Sequence, residues 1–184
     1  MKIAIYSTVP TNVVSFVMKA DYCSCIHYFM AGEKINIVKC WSNKEPSNAD
    51  IVALIGLLIK HKIRYLFANR SAELVVKTPR FTEIEFINIP DTHIESAYVL
   101  ISKLISDGNL AIADEYKILV IEELRLFNLK QFKEDRERYP IVEALMQGLI
   151  CAEFQHPPDW SVLNQYSDDD LNYQSNMLTR HLFG

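Results

Sequence analysis

A chain of 184 residues with 49% hydrophobic and 23% charged residues can build one globular domain with an extension, and it carries too much apolar content to stay disordered. Five glycines and four cysteines exclude collagen-like and disulfide-scaffold architectures. A net charge of −4 argues against nucleic acid or an anionic membrane as the dominant partner, because neutralising phosphates takes an excess of Lys and Arg.

The chain opens with Met1-Lys2-Ile3-Ala4-Ile5-Tyr6-Ser7, which lacks the apolar core and cleavage site of a signal peptide. The longest apolar run, Ile51 to Ile59, is far short of a membrane helix. A cytoplasmic protein with reduced thiols is expected.

Residues 2–7 read as a first strand, and residues 8–20 give no firm assignment. Residues 25–30 and 34–41 flank Ala31-Gly32-Glu33 and read as a hairpin, with Gly32 at the turn. Residues 42–49 are a loop. Ser47 and Asp50 have the spacing of a capping box, which predicts a helix from Asn48 through Ile59, apolar nearly all round and therefore buried. His61 and Lys62 suit its last carbonyls.

Residues 64–68 follow as a short strand, residues 72–77 as a short helix capped by Ser71, and residues 83–89 alternate strictly as a strand. Thr92 with Glu95 predicts a helix over 93–106, closed by Asp107-Gly108. Residues 116–121 read as another strand, and the charged run 130–138 as a solvated helix face or loop. Pro140 starts a helix over 140–150, and 151–154 read as a strand. His156-Pro157-Pro158-Asp159-Trp160 cannot be regular structure, and 167–183 reads as an acid-capped helix. Strands alternating with helices, with an early hairpin, predict an α/β domain with a mixed sheet over 1–108, and an α+β extension over 109–184 packed on it.

Three groups of residues stand out. In an extended Cys23-Ser24-Cys25-Ile26-His27, alternation puts Cys23, Cys25 and His27 on one face, a donor set for zinc or an iron–sulfur species. Cys40 joins them or faces the other way. The competing reading packs the cysteines in the core and leaves His27 with a local hydrogen bond.

Pro90-Asp91 followed by Glu115-Tyr116-Lys117 has the order of the PD-(D/E)xK nucleases, whose carboxylates hold Mg²⁺ while the lysine orients a water. The helix expected between its halves, and the capping position beside Asp91, count against that reading. The third group, His156 with Asp159 and Trp160, lines a site or simply packs Trp160 on the core. No nucleotide-binding glycine loop and no G-x-S-x-G elbow is present.

Met1-Lys2-Ile3-Ala4, the pair Tyr28-Phe29, the Gly32 hairpin, the helix over 48–60 and the strand over 64–68 fall in an order that resembles the dinitrogenase iron–molybdenum cofactor-binding family. Phe16-Val17-Met18-Lys19-Ala20 stands where that family carries F-G-R-A, and Asn69 and Arg70 stand where it carries glycine. The resemblance implies a ribonuclease H-like domain. With the longer chain it also looks like the accessory protein of iron-only nitrogenase, with which only His156–Trp160 of the extension compares.

The leading expectation is thus a non-catalytic accessory protein that binds a metal cluster or cofactor, or a protein partner, with Cys23, Cys25 and His27 as metal ligands. The alternatives are a metal-dependent nuclease using Asp91, Glu115 and Lys117, and a protein-interaction module without a ligand.

Overall fold

The computed structural model describes residues 11–154 apart from 32, 87, 88 and 90. The segments expected as a strand at 2–7 and a helix at 167–183, the turn residue Gly32, and the His156–Trp160 group lie outside these residues.

The first described strand, β1, is Thr11–Met18, in the stretch the sequence left unassigned. Its side chains are buried on both faces: Val13 and Val17 enter one apolar cluster, Val14 and Phe16 the other. A strand covered on both sides shows no apolar–polar alternation, so the period that marks a half-exposed strand is missing. A turn closed by the backbone bond from Lys19 N to Tyr22 O, 2.8 Å, leads into β2, Cys23–Ala31, which runs antiparallel to β1 with Met18 opposite Cys23. The next strand, β3, is Lys34–Asn43 and pairs antiparallel with β2. The register shifts between His27 and Tyr28, so that Ile37 and Cys40 share a face although their spacing is odd.

The first helix, α1, is Asn48–His61. The expected capping box is present: the Asp50 carboxylate accepts from Ser47 N at 2.8 Å and from Ser47 Oγ at 3.0 Å. The helix stops at Lys62, which is left-handed (φ 47°) and donates its N–H to Ile59 O. β4, Tyr65–Ala68, returns parallel to β1. A single 3-10 turn at Arg70–Ala72 stands where a helix over 72–77 was expected.

β5 is Glu83–Phe86, parallel to β4, and α2 is Asp91–Ser106, ended by Gly108 at φ 67°. β6, Leu110–Ile112, adds to the free edge of β3. Then come α3 at Asp114–Leu126, α4 at Leu129–Glu134, a 3-10 turn at Arg136–Arg138, and α5 at Pro140–Phe154.

Two sequence expectations change here. Residues 116–121 lie in α3, not in a strand, with Val120 and Leu124 buried four apart and Ile118 exposed. A run of four apolar residues fits either period, and Asp114 and Glu115 at the positive end of a helix favour the helical one. Residues 151–154 continue α5.

The strand order is β5-β4-β1-β2-β3-β6. An antiparallel three-strand meander, extended beside its first strand by two parallel strands reached through crossovers, is a mixed α/β sheet of ribonuclease H-like order. One face packs against α2, α3, α4 and α5 through Ile26, Tyr28, Ile37, Phe132, Tyr139, Leu145 and Met146, among others. The opposite face packs against α1 through Phe16, Cys23, Cys25, Leu54, Leu58 and Leu66. Helix α5 lies close to the central strands. A Cβ at Gly148 would come within 2.8 Å of the Tyr28 hydroxyl, so only glycine permits this approach. No helix among the described residues is long and apolar enough to cross a membrane.

Candidate functional site

Strand β1 is where the strand order reverses, with β2 on one side and β4 on the other. In open α/β sheets, ligands bind outside the carboxyl ends of the strands at such a point. Here that edge is made by Met18 and Lys19 after β1, Asn69 and Arg70 after β4, and the first turns of α5.

The floor is polar but neutral. Gln147, 1% exposed, brings its Nε2 to 3.1 Å from each of Ser15 Oγ, Phe16 O and Phe67 O, and so ties α5 to β1 and β4 together. Asn69 mimics another strand residue: its Oδ1 accepts from Met18 N and its Nδ2 donates to Met18 O, both at 2.8 Å. Both amides are committed to the scaffold, because buried polar groups left unpaired are costly.

One helical turn before Gln147, Glu143 is buried at 3% exposure and is the charged element of the edge. Lys19 Nζ donates to its Oε1 at 2.9 Å, Tyr22 Oη donates to its Oε2, and Arg136 lies 3.6 Å from Oε1. Burial, followed by the charge and hydrogen bond of Glu143, pushes the Tyr22 hydroxyl far up, so it stays a donor. Lys19 also stands 5.1 Å from the Tyr22 ring centroid. Two cations whose side chains keep 32% and 24% exposure therefore flank one buried carboxylate.

A divalent ion such as Mg²⁺ needs several hard oxygen donors. Both oxygens of Glu143 already accept from cations or Tyr22. Among the described residues, no group of three or more His, Cys, Asp or Glu is placed to hold a metal ion. Chemically, the edge suits an anion.

A second carboxylate supports α5 from α3. Glu123 Oε2 accepts from Ile141 N at 2.8 Å and from Val142 N at 3.0 Å, the free donors of the first turn. Burial raises its pKa from the ordinary 4.5 to about 7, against the pull of those two N–H groups. The folded state thus holds a proton that the unfolded chain has already released. The stability this contributes is complete below pH 4.5 and is lost as pH rises through about 7. Glu123→Gln cannot titrate, so the variant should gain on the native chain between about pH 5 and about pH 8 in urea unfolding. A stability difference that stays constant across that range would contradict this.

The sequence-expected ligands sit elsewhere. Cys23, Cys25 and His27 do share one face of β2, the face under α1, as alternation required. The two thiols are fully buried in an apolar cluster. Burial raises Cys23 to about 11, with Asp50 adding to the effect, and lifts Cys25 well above its ordinary value. Cys40 faces the opposite cluster and is pushed to about 12, again mainly by burial.

Asp91 is the first residue of α2, while Glu115 and Lys117 are exposed in the first turn of α3. On a helix, residues two apart diverge by about 200°, so the structure does not place Glu115 and Lys117 on one side. Sequence reasoning passed over Tyr22, Arg136, Glu143 and Gln147, and met Lys19 and Asn69 only as positions in the family comparison. The available signal was Glu143 and Gln147, two polar residues four apart in the otherwise apolar stretch 140–152 of the helix.

No protein family's sequence profile matches this chain, and no curated protein matches it in sequence. Among solved structures it is similar to the nuclease domain of the human cytomegalovirus terminase, at 11% identity over 80% of this chain and 86% of that one, with a TM-score of 0.49. It is also similar to the large terminase of a thermophilic bacteriophage, at 12% identity over 87% of this chain and 43% of that one (TM-score 0.38). A third is the fowlpox virus resolvase, solved with Holliday junction DNA, at 7% identity over 79% and 99% (TM-score 0.36).

These findings correct the expected kinship with dinitrogenase cofactor-binding proteins. The resemblance placed the family's opening strand at residues 2–7, whereas the strand that pairs with both β2 and β4 is 11–18. The accessory role of handling a metal cluster or cofactor falls with that kinship. The exclusion of nucleic acid as a partner is withdrawn as well. That exclusion rested on net charge, which averages over the whole chain and misses cations gathered at one edge.

Proposed function

We propose that this chain works on nucleic acid and grips its phosphate backbone at the carboxyl edge of β1 and β4 in a ribonuclease H-like domain. The observation that carries the reading is the pair Lys19 and Arg136, held against buried Glu143 where the strand order reverses. Fixed cations suit phosphate oxygens, and the edge reads no sequence by itself. The free thiols of Cys23, Cys25 and Cys40 fit a reducing, cytoplasmic setting.

A second reading is metal-dependent hydrolysis by a nuclease. Its specific observation is the motif order Pro90-Asp91, Glu115-Tyr116-Lys117.

Binding of a short labelled DNA duplex, and of RNA of the same sequence, measured against salt concentration tests the first reading. The affinity should fall linearly on logarithmic axes, and Arg136→Ala should weaken binding and flatten the slope by about one. Affinity unchanged by both Arg136→Ala and Arg70→Ala would refute this edge as the binding surface. Incubation with Mg²⁺ or Mn²⁺ separates the second reading, which requires cleavage that Lys117→Ala abolishes.

A further inference from the structure

We propose that His27 and His61 form a two-imidazole site for a borderline divalent metal ion, Zn²⁺ or Ni²⁺, on the α1 face of the sheet. This is independent of the nucleic-acid reading and lies on the opposite face from α5.

His27 is 1% exposed, and its Nε2 lies 2.6 Å from Asn12 Oδ1. A carbonyl oxygen only accepts, so Nε2 carries the proton and Nδ1 keeps a bare lone pair. That Nδ1 is buried and has no hydrogen-bond partner. An imidazole anchored by an amide oxygen at one nitrogen and open at the other is the arrangement metal-binding histidines adopt.

The second ligand comes from the last residue of α1. The His61 ring centroid is 5.1 Å from that of His27, with 56° between the ring planes. For zinc–nitrogen bonds of about 2.0–2.1 Å at a tetrahedral angle, two ligating rings have centroids roughly 5 Å apart. The observed spacing is the one expected of two rings that share an ion.

Phe29 packs against His27 with 5.5 Å between centroids, and exposed His61 gives the ion a path from solvent. Lys39 pairs across from His27, and its ammonium is 5.9 Å from the Trp41 ring. Among the described residues no third His, Cys, Asp or Glu joins the pair, so the site needs water, entering past exposed His61, as its remaining ligands. The thiols of Cys23 and Cys25, on the same face, are sealed from solvent.

The full chain, stripped of metal, is titrated with Zn²⁺ by calorimetry and melted with and without the ion. The native chain should bind and should melt higher with Zn²⁺, since a ligand of the folded state stabilises it by mass action. His61→Ala, at an exposed helix end, should lose one bound equivalent while keeping its metal-free melting temperature. His61→Cys, which restores a donor there, should regain the equivalent. A native chain that binds no Zn²⁺, or a His61→Ala variant with native stoichiometry, would overturn the site.

Discussion

Replacing Phe132 by alanine is expected to cost about 3–5 kcal/mol of folding stability, the range for emptying a buried aromatic position. Phe132 is fully buried. Its ring meets Phe127 at 5.4 Å and Tyr139 at 6.3 Å, and the Arg136 guanidinium stands 5.6 Å from it. Helix α4 has six residues and cannot persist by its own hydrogen bonds, so this ring is what anchors it. Tyr139 closes the same cluster with a hydroxyl shared between Leu126 O at 3.0 Å and Gln131 Oε1 at 2.9 Å. The loss should appear as a lower urea midpoint with an unchanged slope. It should also weaken binding of nucleic acid, because Arg136 leads directly out of this cluster towards Glu143. A cost below roughly 1 kcal/mol would mean that the segment between α3 and α5 is held by something else.

Glu143→Gln is expected to move stability and binding in opposite directions. The carboxylate is buried and accepts from Lys19 and Tyr22, and hydrogen bonds to a charged group contribute about 1.5–3 kcal/mol each. Lys19 and Arg136 are only partly buried and can turn towards water, so the net loss should lie near the lower end of that range. The same substitution leaves two cations at the edge with no carboxylate between them. Binding to a DNA duplex should then tighten and its salt dependence steepen, by about 0.9 in logarithmic slope for each additional phosphate neutralised. Chemical denaturation and a salt series on one preparation give both readouts. Weaker binding together with lower stability would assign Glu143 a purely structural role.

Local chemistry declared much of the architecture. The Ser47–Asp50 capping box, the alternation over 83–86 and Pro140 at the first position of α5 all lie where short-range sterics and unpaired N–H groups demand them. These signals act within a few residues, so they were legible in the sequence, and they sufficed for a mixed α/β sheet. They misled where one run satisfied two periods, as in 116–121, and they were silent at β1, whose burial on both faces removes any period.

Alternation likewise put Cys23, Cys25 and His27 on one face, but it could not say that the thiols would be sealed under α1 or that His61 would arrive beside His27. The carboxyl edge shows the same division more sharply. Lys19 meets Glu143 across 124 positions, and Gln147 meets Phe67 across 80. Such pairs carry no local signature, because their attraction arises only after chain pairing has met the entropy of closing those loops. Residue types and spacing therefore determined the layers of this protein, and the placement of β1 between β2 and β4 decided where its charges gather.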